Sequence, residues 1–183
     1  MGRSTLQRFS KAAWWTWLIA VSALCGCQFN PYADWFVTKD VTEKQLVGSY
    51  HVTDETVKHC ATTEMPFLDG RHLPLSRDAR ITLTSDHKIS VSQVPIDLGG
   101  PRACMLTASG TWKVSKHQEY TSVHINLAHP QASAPGCPEG EFGFDLELFD
   151  DSALPKHSAT RYPLLHLTIG DPDSGDALQF ERD

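Results

Sequence analysis

Short alternations of apolar and polar residues recur from residue 48 to the end of the chain. Tyr50 and Val52, for example, alternate with Ser49, His51 and Thr53. A repeat of two residues is typical of β-strands that bury one face, and helical repeats are almost absent here. The alternation predicts strands at Gly48–Thr53, Arg80–Thr84, Ile89–Ser92, Ala103–Val114, Tyr120–Leu127, Phe142–Phe149, Leu164–Ile169 and Ala177–Phe180.

Turn-forming residues separate these strands, such as Ser85-Asp86-His87-Lys88 between the second and the third. Eight or nine short strands in succession predict an all-β fold built as a single antiparallel meander. We expect this sheet to close, or nearly close, into a barrel, because closure removes its exposed edges. Thr42 and Gln45 have the spacing of a capping box and predict a short N-terminal helical turn that ends at Gly48. Ser109-Gly110 predicts a bulge in the long fourth strand.

The chain begins with a different pattern. Three basic residues and no acidic residue lie in Met1–Lys11, and Ala12–Leu24 is almost entirely apolar. A basic segment followed by a short apolar run is typical of a secretory signal peptide. The run has 13 residues, whereas a helix needs about 20 to span a bilayer, so a permanent transmembrane anchor is the weaker interpretation.

Leu24-Cys25-Gly26-Cys27 closes this apolar run and resembles the lipobox of bacterial lipoproteins. The resemblance implies cleavage before Cys27 and acylation of its thiol. The chain then divides into a signal peptide (1–26), a lipidated tether (27–41) and a β-barrel domain (42–183). Gln28 follows the acylated cysteine where Asp would favour retention, which favours the outer membrane, with the domain facing the periplasm. The alternative is an ordinary secreted protein whose Cys27 forms a disulfide.

Cleavage before Cys27 would change the charge of the protein. The signal peptide holds three of the 16 basic residues and none of the 22 acidic ones, so the mature chain has a net charge of −9. This acidity argues against nucleic acid as a partner, because phosphate binding needs clustered Lys and Arg. It also leaves membrane attachment to the acyl chains.

The tether contains one apolar group, Trp35-Phe36-Val37. We expect this group to dock on the domain. The alternative places Trp35 at the lipid interface, where amphipathic rings are favoured.

The two ends of the domain resemble those of lipocalin-like small β-barrels. These families place Gly-x-Trp before the first strand and a basic residue near the last strand, stacked across the closed end of the barrel. Gly48, Tyr50 and Arg182 occupy comparable positions, with Tyr50 where those families have Trp. The resemblance implies that these three residues pack at one end of the barrel.

Three cysteines remain in the domain, Cys60, Cys104 and Cys137. An exported protein meets oxidising conditions, so we expect one disulfide and one free thiol. The order of the strands places Cys104 and Cys137 at the same barrel end and favours their pairing. Cys60 could replace either of them.

No motif in the chain specifies a metal site, a cofactor or a catalytic centre. The nine histidines lack the spacing of a zinc site, and scattered surface histidine is the simplest interpretation. If the opposite face of each strand pointed into the barrel, His51, His124 and His166 would lie in one lumen and could bind a metal. Asp171 and Asp173 lie in a turn whose composition explains them without calcium. No nucleophile or phosphate-loop motif is present, so we expect no enzymatic activity.

Two function classes remain. The first is a barrel that captures a small apolar or amphipathic ligand, which an open cavity of about 300 Å³ or more would support. A lumen plugged by Tyr50, Trp112, Phe142 and Phe144 would argue against it. The alternative is an envelope lipoprotein that binds a protein: a cell-wall hydrolase inhibitor, an immunity protein or an assembly factor. This class requires the loops 61–78 and 129–141 to form one exposed surface.

Overall fold

The protein is a closed barrel of eight antiparallel strands. The computed structural model describes residues 36–37, 41–65, 68, 70–73, 75–96, 104–117, 120–132, 140–149, 163–169 and 176–183. Each strand pairs with the next, and β1 also pairs with β8, which confirms the predicted all-β meander and its closure. The strands are β1 Gly48–Val52, β2 Arg80–Leu83, β3 Lys88–Ile96, β4 Cys104–Lys116, β5 Thr121–Ala132, β6 Phe142–Phe149, β7 Leu164–Thr168 and β8 Ala177–Arg182.

A short helix, α1 (Glu43–Leu46), closes the end of the barrel at which β1 starts. It begins at the predicted capping box, where the backbone N–H of Thr42 donates to Oε1 of Gln45 at 2.9 Å. The helix ends two residues before Gly48, the predicted end. Leu46 is fully buried, and its carbonyl accepts a hydrogen bond from the Tyr50 hydroxyl at 2.8 Å. We call this end of the barrel the α1 end.

A second helix, α2 (Asp54–Thr62), follows β1 at the opposite end, the α2 end, and was not predicted. Thr53 caps it, since its Oγ1 accepts from the backbone N–H of Thr56 at 3.2 Å. Asp54 and Glu55 occupy the first turn, where negative charge favours a helix. The described residues between α2 and β2 add four buried apolar side chains to the core: Met65, Leu68, Leu73 and Ala79. The α2 end is therefore covered as well.

Side chains from all eight strands fill the lumen. They occupy alternate strand positions, as the period of two predicts. An eight-stranded barrel is just wide enough for its own side chains, so this filling is expected. Tyr50 and Trp112 are 0% and 3% exposed, whereas Phe142 and Phe144 are partly exposed.

Gly110 of β4 lies opposite Leu127 of β5, with no room for a side chain. A Cβ at this position would overlap the carbonyl oxygen of Asn126. The predicted bulge at Ser109-Gly110 is displaced, because the register between β4 and β5 shifts between Thr107 and Ser109. A second register shift interrupts β3, where Gln93 has a φ of 53°.

Two residues of the predicted tether, Phe36 and Val37, pack near the α1 end, and Val37 contacts the core of the barrel. They separate the start of β5 from the end of β6, as a short additional strand would. Their contacts are two backbone hydrogen bonds, Val37 N to Leu148 O (2.8 Å) and Thr121 N to Val37 O (3.2 Å), and ring contacts of Phe36 with Tyr120 and Phe149 (centroids 5.3 and 5.1 Å apart). Trp35 lies outside the described residues.

Candidate functional site

The three residues that resemble the lipocalin-type barrel end meet at the α1 end. Tyr50 and Arg182 are partners in the β1–β8 ladder. The Arg182 side chain lies over Gly48, where a Cβ would be 2.5 Å from Nε. Nη1 of Arg182 also donates to the Gln45 carbonyl at 3.4 Å. Arg182 thus holds α1 and β1 together, and the arrangement closes the barrel.

The cysteines of the domain have different environments. Cys104 is disulfide-bonded, and Cys60 is a free, buried thiol. Cys27 and Cys137 lie outside the described residues, so the Cys104–Cys137 pairing stays a prediction. Burial, followed by the charge of Asp176, raises the pKa of Cys60 to about 11. A thiol with this pKa is protonated at neutral pH and is a poor nucleophile.

The three histidines considered for a lumen metal site all face outward. Their strand neighbours, such as Tyr50 and Ile125, point into the lumen. The alternative in which the histidines line the lumen is therefore wrong. His51 lies between Asp183 (2.6 Å) and Glu181 (3.2 Å). Within the described ranges, no group of three or more His, Cys, Asp or Glu could hold a metal ion. Asp171 and Asp173 of the calcium alternative lie outside those ranges.

The barrel wall opens where β6 and β7 part. The two strands pair at only three described positions, from Glu147↔His166 to Phe149↔Leu164. A cleft of about 190 Å³ lies beside this short ladder. We call it the β6–β7 cleft. Its lining residues come from both faces of the wall: Ile96, Tyr120, Phe142, Phe144, Asp145, Glu147, Leu167 and Thr168.

The floor of the cleft is apolar. Phe144 is opposite Ile125 in the β5–β6 ladder, so both side chains lie on the lumen face. The rings of Phe142 and Phe144 have centroids 5.9 Å apart. Leu167, on the lumen face of β7, completes this floor with only 6% exposure. The partly exposed phenylalanines therefore give solvent access to an apolar surface that the rest of the lumen buries.

The outer lip of the cleft carries negative charge. Burial is the main cause that raises the pKa of Glu147; a hydrogen bond from Thr168 lowers it, and the nearby Asp145 carboxylate raises it further. The Thr168 hydroxyl donates to Oε2 of Glu147 at 3.2 Å. His166 Nε2 lies 3.9 Å from the same oxygen, but burial lowers the pKa of His166 to about 3. The imidazole is therefore neutral near pH 7 and does not balance the charge of Glu147.

A second, larger groove crosses the outer face of β2, β3 and β4. It has a volume of about 400 Å³. Four hydroxyl side chains and one arginine give it a polar lining: Ser90, Ser92, Thr107, Ser109 and Arg80. Nη1 of Arg80 donates to the carbonyls of Arg77 and Ala79. Val91 and Ala108 complete the lining, so this groove offers hydrogen bonds together with some apolar surface.

The β6–β7 cleft was not predicted, although most of its residues lie in strands that the alternation predicts. The alternation of Asp145 and Glu147 with Phe144 and Leu146 places the two carboxylates on one face of β6. The signal that could have indicated the cleft is the difference in length between β6, with eight residues, and β7, with five. Such a mismatch leaves part of the longer strand without a partner on that side, and it is visible in the sequence pattern.

No protein-family model matches the chain, and neither a curated protein nor a solved structure matches it. No helix among the described residues has the length and apolar character needed to span a membrane.

Proposed function

We propose that the protein is a lipid-anchored protein of the bacterial envelope whose barrel binds a small amphipathic molecule in the β6–β7 cleft. The observation that supports ligand binding is the junction of an apolar floor with a carboxylate lip in one opening of the wall. Ligand sites commonly combine apolar walls with a few polar groups that fix orientation.

Because side chains fill the lumen, such a ligand would bind in the wall of the barrel and not inside it. The cleft has about 190 Å³, which is less than the 300 Å³ expected for a barrel that encloses its ligand. It equals the volume of about six water molecules at ~30 Å³ each. We infer that the cleft takes only part of a ligand, one ring or a short segment of its alkyl chain, and that the polar end of the ligand lies at the lip.

The anchor would hold the α1 end towards the membrane. Phe36 docks near that end, and eight residues separate it from Cys27. Eight extended residues reach about 30 Å, so the barrel would stay close to the bilayer. Two or more acyl chains would provide the membrane affinity that the acidic domain lacks.

Replacing Cys27 tests the anchor. In cells fed a palmitate analogue, we expect Cys27→Ala to abolish labelling, because the acylated thiol is lost. Cys25→Ala is the matched control, since Cys25 belongs to the removed signal peptide, and it should keep the label. Equal labelling of Cys27→Ala and the parent would contradict the anchor.

Truncating the floor of the cleft tests ligand binding. We expect the neutral apolar dye N-phenyl-1-naphthylamine to bind the parent, and Phe144→Ala to weaken binding about tenfold or more, since burying a Phe ring contributes about 1.5–3 kcal/mol. Val114→Ala removes a partly buried apolar side chain on another strand and should leave the affinity unchanged. Equal losses in both variants, measured by fluorescence titration, would exclude the cleft as the site.

Protein binding is the second candidate, and the topology favours it in one respect. The segments 63–79 and 133–141 both connect strands at the α2 end, which faces away from the proposed anchor. Arg71 and His72 are exposed in the first segment. If a purified envelope protein binds this end, Arg71→Glu should weaken that complex and leave dye binding unchanged.

A further inference from the structure

We propose that the β6–β7 cleft selects amphipathic ligands with a positively charged head, of which a long-chain primary amine is the simplest. This inference rests on the proposed function, because it names the class of ligand for the same cleft. It follows from three arguments about the lip. Its two carboxylates lie beside the apolar floor, the described residues supply little positive charge to them, and they would repel an anionic head.

The two carboxylates lie on one face of β6. Asp145 and Glu147 are two residues apart, so their side chains project from the strand about 7 Å from each other. Glu147 is fixed by the hydrogen bond from Thr168 on β7. Its carboxylate therefore stands at the edge of the opening, beside the apolar floor formed by Phe144 and Leu167.

The described residues supply little positive charge to this lip. Asp145 faces His124 at 3.1 Å. The basic neighbour of Glu147 is His166 at 3.9 Å, an imidazole that is 1% exposed and held neutral. A half-buried carboxylate without a cationic partner is unfavourable. A ligand ammonium group at the lip would supply the missing charge and donate hydrogen bonds to it.

An anionic head would be repelled at the lip. It would lie beside two like charges in a partly desolvated position, where repulsion is stronger than in water. A neutral hydroxyl head would gain a hydrogen bond but no charge pairing. For ligands with the same alkyl chain, we therefore expect the order of affinity to be amine, then alcohol, then carboxylate.

The experiment uses the full mature chain with Cys27→Ala, which needs no detergent. Dodecylamine, dodecanol and dodecanoate, each below its solubility limit and its micelle concentration where it has one, compete with N-phenyl-1-naphthylamine in moderate salt. We expect the amine to bind at least tenfold more tightly than the alcohol and the alcohol more tightly than dodecanoate. Glu147→Gln should bring the amine to the affinity of the alcohol and leave the alcohol unchanged. Glu181→Gln, on the outer face of β8, is the control for general surface charge and should preserve the preference.

Equal affinities for the amine and the alcohol, while Phe144→Ala weakens both, would overturn the charge preference and leave the proposed function in place. Amine binding that persists in Phe144→Ala, or that falls equally in Glu147→Gln and Glu181→Gln, would reflect surface attraction and overturn the inference. Failure of all three ligands and of the dye itself would overturn the proposed function too. Thermal unfolding of each variant confirms that it is folded.

Discussion

Replacing Gly110 with alanine is expected to destabilise the protein by about 3 kcal/mol or more, at the upper end of the usual cost of overpacking. The added Cβ would overlap the Asn126 carbonyl oxygen and lie 2.8 Å from the Leu127 Cα. Both are backbone atoms of β5, so no rotation of a side chain can relieve the overlap. The β4–β5 ladder would have to separate at this point.

Gly140→Ala is the matched control for this prediction. A Cβ at Gly140 would have no neighbour within 4 Å, so we expect a change in the free energy of unfolding within about 0.5 kcal/mol. Urea denaturation, followed by circular dichroism, measures both variants. If Gly110→Ala were as stable as Gly140→Ala, the close approach of β4 and β5 described here would be wrong.

Trp112→Ala is expected to reduce the free energy of unfolding by about 3–5 kcal/mol, the range for removing a large buried aromatic ring. Trp112 is 3% exposed and lies on the lumen face of β4, opposite Ile125. Its indole Nε1 donates to the Thr84 carbonyl at 3.0 Å. The ring thereby fills the lumen and fixes the turn between β2 and β3.

Trp112→Phe separates these two roles. It keeps most of the ring volume and loses the hydrogen bond to Thr84, so we expect a loss of about 1–2 kcal/mol. Chemical denaturation of the three proteins gives the order parent, Trp112→Phe, Trp112→Ala. A loss below about 1 kcal/mol for Trp112→Ala would show that the indole does not fill the lumen.

Much of the fold was predictable because apolar and polar residues alternate along most strands. The predicted bounds of β6, Phe142 and Phe149, agree with the structure. β3 is longer than predicted because its register shift falls between Val91 and Val94. After the shift, apolar and polar residues alternate out of phase with those before it, so the recognised pattern ends at Ser92.

The features that were not predicted depend on tertiary contacts. The helix α2 is mostly polar, and its two buried side chains, Thr56 and Cys60, form too narrow a stripe to be recognised. The β6–β7 cleft depends on where two strands part, and the burial of His166 depends on what packs outside the barrel. Neither is set by local alternation, so the sequence predicted the two strands but not the cleft between them.

The most direct test of the central claim, that the β6–β7 cleft binds an amphipathic ligand, is to locate the ligand by nuclear magnetic resonance. Amide chemical shifts of the ¹⁵N-labelled mature chain are followed while N-phenyl-1-naphthylamine or dodecylamine is added. We predict the largest shifts at residues 142–147 and 167–168, which line the cleft. The largest shifts in the hydroxyl-lined groove around Arg80 and Ser109, or at the α2 end, would contradict the account.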